Sequence, residues 1–431
     1  MLTSIHSRIR SYIVASSIIA FAGTSLAMNH CPPEDTTVGN SDEIVQHKCG
    51  NSPQPIIKNI DQKIGIHAQP AIDVVFVLDT TGSMGGLIEG AKQKIWAIAN
   101  QISQTQHTPI VRMGLVAYRD RGDEYVTRIT PLTDDIDTVY ADLMQFKAMG
   151  GGDTPESVND ALFAAIERFE WTPQDDALKL VYLVGDAPPK MEYKDDVKYQ
   201  ATCRLAYEQG ININTIQCGG MAATKPIWQE IAQLANGAYA SIEQNGGVVA
   251  ISSPYDADIA KLDQEYAQTM IDYGDAEVRE YQFAKRSRGS EVSLGASPEA
   301  AADRAIYNQT SAGRFNLFGK QELVDDISTG SIAIHEVKKE QLPTELQELS
   351  EDELKWEIDR RTEVRTQLTE QIKALAAKRV QYLQEHQPKS RMDGFDQKVL
   401  EALIEQGARV GIEFKSAESG SNPELKEQDE E

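Results

Sequence analysis

Between Asp73 and Ile242 the chain alternates continuous apolar runs with amphipathic stretches. Val74-Val75-Phe76-Val77-Leu78 is apolar at every position, which predicts a strand covered on both faces. Behind it, Leu87, Ala91, Ile95, Ile98 and Ile102 recur at helical spacing. The same reading predicts strands over Met113–Tyr118, Val126–Ile129, Leu178–Val184, Ile211–Gln217 and Ala238–Ile242. It predicts helices over Ile136–Phe146, Val158–Phe169, Val197–Tyr207 and Ile227–Leu234. Buried strands alternating with helices imply an α/β fold, with a doubly wound, mostly parallel central sheet and helices on both faces. The unit runs over residues 71–250.

The pattern then loosens. Tyr255–Tyr273 reads as helix, but residues 251–343 as a whole are mixed and specify no fold. From Thr344 to Gln387 Glu, Leu, Lys, Arg and Gln dominate, a strongly helix-forming composition. Leu354, Ile358, Leu368, Ile372, Leu375 and Tyr382 fall on a seam of coiled-coil character. Arg361, Arg365 and Arg379 interrupt that seam. A long coiled coil does not tolerate three arginines there without partners, so the helix should pack on its own domain or in a hairpin. After a turn at Pro388–Gly394, Phe395–Glu405 forms a second helix. Residues 344–415 thus make a mainly α-helical C-terminal extension. Residues 416–431 form an acidic tail expected to be disordered, with six acids against Lys426. Trp96, Trp228 and Trp356 are read as packing residues.

The N-terminal pattern changes the expected location. Arg8 and Arg10 precede a short apolar run, Tyr12–Ala22, and Ser25-Leu26-Ala27 ends on a small residue. This is the pattern of a signal peptide cleaved after Ala27. The run is too short to span a membrane, which takes about 20 apolar residues. The expectation is export to the periplasm or the extracellular space, with no transmembrane segment in the mature chain. Residues 28–70, with five prolines, read as a flexible lead-in. Export permits disulfides: Cys203 with Cys218 is the expected bond, and Cys31 with Cys49 offers a second.

Composition narrows the function. Across 431 residues, 41% hydrophobic and 25% charged positions exclude a wholly disordered chain. Acids outnumber bases 66 to 42, a net charge of −24. Loss of residues 1–27, which carry two arginines and no acid, takes it to −26. Such a surface repels nucleic acids and anionic lipids. Four cysteines are too few for a disulfide-built scaffold or a four-cysteine zinc site with short ligand spacing.

The candidate chemistry sits where strands end, because ligands of open parallel sheets bind outside the carboxyl ends of the strands. The first strand runs into Asp79-Thr80-Thr81-Gly82-Ser83. A later loop reads Gly150-Gly151-Gly152-Asp153-Thr154-Pro155-Glu156-Ser157, and another strand ends Gly185-Asp186-Ala187. Asp79, Thr81, Ser83, Thr154 and Asp186 are all oxygen donors, the set hard cations prefer. Either of the first two fragments alone would serve as an ordinary helix cap; three together on predicted strand-to-helix loops point to a metal site. A phosphate-binding loop is disfavoured, because no Gly-Lys-Ser/Thr follows the glycines. A serine hydrolase is disfavoured too, since none of the seven histidines lies at a strand end of the core. Arg119-Asp120-Arg121-Gly122-Asp123-Glu124 reads first as a solvated charged loop, with a recognition rim as the second reading.

These residues resemble the von Willebrand factor A domain and its metal ion-dependent adhesion site. The family pattern is Asp-x-Ser-x-Ser followed by a Thr and an Asp on later loops. Here it stands as Asp79-x-Thr81-x-Ser83, Thr154 and Asp186, with Thr for the first Ser. The surrounding wording resembles exported bacterial members. The resemblance implies Ser83, Thr81 and Thr154 binding the metal through hydroxyls, and Asp79 and Asp186 acting mostly through waters. It also implies a free coordination position for the Asp or Glu of a partner protein. The oxygen-only set favours Mg²⁺, with Ca²⁺ or Mn²⁺ as alternatives. The expected function is metal-dependent protein binding in adhesion or assembly, without catalysis. The rival readings are an envelope scaffold docking through the C-terminal helices, or a metal-dependent hydrolase.

Overall fold

A computed structural model describes residues 70–105, 109–173, 177–247, 251–319, 321–386 and 394–414. The expected signal peptide, the segment with Cys31 and Cys49, and the acidic tail lie outside the described residues. Six strands form one sheet: β1 (Ala71–Asp79), β2 (Ile110–Tyr118), β3 (Thr127–Thr133), β4 (Leu178–Gly185), β5 (Ile211–Cys218) and β6 (Tyr239–Ile242). Their order is β3-β2-β1-β4-β5-β6. All neighbours are parallel except the β2–β3 pair at one edge. The all-apolar run of β1 thus occupies a central position, buried along its length.

Successive β1 side chains feed two different cores, as strand geometry requires. Ile72, Val74, Phe76 and Leu78 join one cluster with Leu115, Tyr182 and helices α1 (Gly85–Ile102) and α2 (Ile136–Gln145). Val75 and Val77 join the other with Val181, Ile213 and helices α3 (Val158–Glu167), α4 (Tyr199–Glu208) and α5 (Thr224–Leu234). Trp96 and Trp228 are buried, one in each cluster.

This two-sided layout overturns the Cys203–Cys218 disulfide. Cys203 on α4 packs in the second cluster and Cys218 on β5 in the first, so the sheet lies between them. Both are buried free thiols. Burial, aided by Glu230, pushes the Cys203 thiol up to about 12, so it is unreactive at neutral pH.

After β6 the chain is helical: α6 (Asp256–Ala267), α7 (Ala276–Gly295), α8 (Pro298–Asn308), α9 (Gly313–Phe318), α10 (Leu323–Ser328), α11 (Glu351–His386) and α12 (Phe395–Arg409). The starts of the longer ones are written locally. Asp275 accepts from Val278 N, and Ser297 accepts from Ala300 N ahead of Pro298. Ser350 and Glu353 exchange hydrogen bonds in a capping box before α11.

The buried positions of α11 are Leu354, Ile358, Arg365, Leu368, Ile372 and Arg379, which share one face. That face packs on the chain's own helices, so the seam is not a free coiled coil. Each interrupting arginine has its partner there. Arg361 donates to the carbonyls of Thr269 and Met270, Arg365 pairs with Glu322, and Arg379 pairs with Asp256 and Asp303. Trp356 departs from its expected packing role: it is 66% exposed, on the outer side of α11. No helix of the described residues is long and apolar enough to cross a membrane.

The last helix returns to the sheet. Phe395, Val399, Ala402 and Leu403 of α12 enter the same cluster as α1 and α2. Tyr182 of β4 stacks on Phe76 and donates to the Val399 carbonyl at 2.8 Å.

Candidate functional site

β1 delivers Asp79 to the carboxyl edge of the sheet with no exposed surface. Its Oδ1 accepts from Thr81 N at 2.9 Å and Thr81 Oγ1 at 2.6 Å, while Ser83 Oγ lies 3.4 Å from Thr81 Oγ1. These contacts fold Asp-x-Thr-x-Ser into one turn. Gly185, at the end of β4, permits the close approach next door. A Cβ there would stand 2.5 Å from Tyr118 Oη and 2.9 Å from Asp79 Cβ.

The loop bearing Thr154 is tied to both neighbours. Met149 N donates to Thr80 O, and Gly82 N donates to Gly150 O. Gly151, at φ +68°, lies against Thr81 where a side chain would crowd it. Glu156 N donates to Pro188 O, and Lys190 N donates back to Glu156 O. The segments carrying Thr154 and Asp186 are therefore stitched together. Thr154 is exposed. Asp186 is buried, and its Oδ2 accepts from Gln244 Nε2 at 2.7 Å.

The electrostatics are unbalanced toward negative charge. Burial, opposed by the Thr81 hydrogen bonds and reinforced by Asp186, raises Asp79 to about 7. Burial together with Asp79, Asp120, Asp123 and Asp153 raises Glu156 to about 8. Asp79 Oδ2, Glu156 Oε2 and Tyr118 Oη are all buried without a hydrogen-bond partner. Orphaned buried oxygens of this kind are costly unless something satisfies them. Among the described residues no three acidic, histidine or cysteine side chains converge as a cation cage. The donors at this edge are two carboxylates and three hydroxyls, a chemistry suited to Mg²⁺, which keeps several waters in its shell. The residues present fit such a cation.

Beneath the loop lies a hub that sequence reading missed. Arg119 and Asp120 are buried, so the 119–124 stretch is not simply a solvated loop. Asp120 accepts from Ser157 Oγ and Lys190 Nζ, both at 2.7 Å, and from Tyr193 Oη. Burial opposes its ionisation, but the Lys190 and Ser157 hydrogen bonds outweigh that and lower its pKa. Lys190 Nζ also donates to Asp153 at 2.9 Å, one residue before Thr154. Asp123 accepts from Gly151 N. Glu156 was legible as a spare acid in its loop; nothing local to Lys190, Tyr118 or Gln244 marked them.

The family model described as von Willebrand factor A domain matches residues 73–253, the sheet with its site loops. This segment is a von Willebrand factor A domain. Similar proteins include von Willebrand factor A domain-containing protein 7 of Rattus norvegicus, 36% identical over 142 residues, and its Homo sapiens counterpart, 32% identical over 142 residues. Each match covers 32% of this chain and 15% of the relative. The chain therefore aligns with only a small part of those relatives' length. Among solved structures, a von Willebrand factor type A protein from Catenulispora acidiphila has a TM-score of 0.32 at 16% identity. That match covers 41% of this chain and 39% of the other. The SpRpn10 VWA domain has a TM-score of 0.31 at 14% identity, covering 41% and 89%. Von Willebrand factor A domains generally serve protein–protein interaction or adhesion.

Proposed function

We propose that the A domain holds one divalent cation, Mg²⁺ by donor chemistry, through Thr81, Ser83 and Thr154, with Asp79 and Asp186 supporting it. When bound, the cation supplies a Lewis-acid position that accepts a carboxylate oxygen from a partner protein. The chain acts as a non-catalytic binding protein, and residues 1–27 direct its export.

The observation that carries this reading is Asp79 Oδ2, buried and unpartnered beside further acids at the sheet edge. The chain's own part is to hold that carboxylate through Thr81, to join the Thr154 and Asp186 loops, and to leave Ser83 and Thr154 open to solvent.

Calorimetry with Mg²⁺ tests the reading. The wild-type chain should bind one cation, and Asp79→Asn should bind about 10–100-fold more weakly, with circular dichroism unchanged. Equal affinity in the two proteins would sink it. Loss of a partner's binding in chelator and in Thr154→Ala tests the acidic contact. Recovery of mature protein beginning at Met28 tests export.

A further inference from the structure

Seven methionines are described, and their exposure is unevenly distributed. Met84, Met113, Met144 and Met270 are buried or half-buried, whereas Met149, Met191 and Met221 are 55%, 40% and 36% exposed. All three exposed ones lie on loops at the carboxyl edge of the sheet. Met149 N donates to Thr80 O beside the Asp79 turn. Met191 follows Lys190, whose Nζ holds Asp153, and its Sδ lies 3.7 Å from Asn159 Nδ2. Met221 O accepts from Thr224 N, and Thr224 Oγ1 donates to Asp186 O. Val197, 38% exposed, stands on the same loop as Met191.

Single exposed apolar side chains are ordinary. Three flexible, polarizable ones around one candidate site are the composition of an adaptable binding surface. Neighbouring strands lie about 4.8 Å apart, so the loops that follow β4 and β5, and the Met149 loop tied to Thr80 at the end of β1, fall within roughly 10–15 Å of one another. An extended segment of about five residues spans that distance.

Charge decides what such a segment carries. The chain's net charge is −24, and the Glu124, Asp153 and Asp195 side chains at this edge are 75%, 65% and 74% exposed. A uniformly acidic partner is repelled before it arrives. Affinity beyond a single carboxylate must come from apolar contact.

We propose that Met149, Met191 and Met221 form an apolar rim around the cation site. The rim selects an extended partner segment in which one Asp or Glu is flanked, within two or three residues, by large apolar side chains. This inference rests on the cation-site reading and adds the class of sequence that the site takes.

The test uses the full chain with Mg²⁺ and a heptapeptide library with a fixed central Glu and randomised flanks. Selected peptides should be enriched in Leu, Ile, Phe and Met flanks. The triple variant Met149→Gln, Met191→Gln, Met221→Gln should bind a selected peptide roughly tenfold more weakly. Its Mg²⁺ affinity should be unchanged, and chelator should abolish peptide binding to wild type. Polar or charged flanks, an empty selection, or unchanged affinity in the triple variant would overturn the rim while cation binding stands. Absence of Mg²⁺ binding, or peptide binding that persists in chelator, would instead overturn the cation site.

Discussion

The sheet and the helices that follow it solve the same packing problem with different materials. In the A domain two large apolar clusters, one per sheet face, meet across β4, which is buried along its whole length. From α6 to α11 the apolar clusters are small, and buried ion pairs fill the gaps. Arg304 grips Asp137 of α2 with two bonds of 2.6 and 2.7 Å and reaches Asp263 of α6 at 2.6 Å. Lys285 pairs with Asp135, Arg365 with Glu322, and Arg379 with Asp256 and Asp303. Apolar burial is non-directional and forgiving. A buried ion pair costs desolvation, yields little net stability, and is unforgiving when halved. The helical layer is therefore held in one register chiefly by matched charges, and the sheet by area.

The sharpest way to break that contrast is Arg304→Ala. It leaves Asp137 and Asp263 buried without a cation and should cost about 3–5 kcal/mol, read from denaturant midpoints. Replacing Arg304 by Met together with Asp137→Asn and Asp263→Asn should recover much of that loss. If the single variant costs under about 1 kcal/mol, the matched-charge account of the helices is wrong.

On the sheet side, Phe395→Ala removes an α12 ring that packs on Phe76. The expected cost is about 3 kcal/mol, with a smaller dependence on salt than for Arg304→Ala. It should lower the cooperative unfolding transition of the A domain itself, since α12 shares its core. A variant that unfolds α12 alone and spares the A domain transition would show that the two are not one unit.

Lys190 joins the themes, because a matched charge here supports a site loop. Lys190→Met should weaken Mg²⁺ binding roughly tenfold, with Lys190→Arg restoring most of it. Unchanged affinity in Lys190→Met would leave Lys190 a structural residue only.

The smallest effect should come from the surface of α11. Hydrogen bonds from Arg360, and then Arg361, hold Glu357 down to about 2. Because the folded pKa lies below the ordinary value, this contribution is present above pH ~4.5 and fades as pH falls toward 2. The pair is partly exposed, so Glu357→Gln should cost only about 0.5 kcal/mol near neutral pH. That difference should vanish in acid. A difference that grows on acidification contradicts the assignment.

Much of the A domain was legible in one dimension. The central strands carry the runs Val74–Leu78 and Leu180–Val184, and apolar runs so short and rich in β-branched residues favour a buried strand over a helix. Asp79 and Asp186 sit at the sheet's carboxyl edge for a related reason, since each ends such a run, whereas Thr154 lies on the loop after α2 and is brought there by that loop's backbone hydrogen bonds to Thr80 and Gly82. The edge strand β3 was harder, because Thr127–Thr133 is only half covered and carries a proline.

By itself the sequence determined the alternation of strands and helices, the donor set, the acidic balance and the α11 seam with its three misfit arginines. These are properties of residue type and spacing. Only the tertiary structure decided what required a partner far along the chain. It placed Cys203 and Cys218 on opposite sheet faces, although a spacing of 15 residues is compatible with a bond. It turned Trp356 outward, matched Arg365 to Glu322, brought α12 back onto β4, and set Lys190 between Asp120 and Asp153. Periodicity reports which face of an element is buried. The partner buried against that face depends on how whole elements close on one another, and a side chain's own neighbours in sequence carry no record of it.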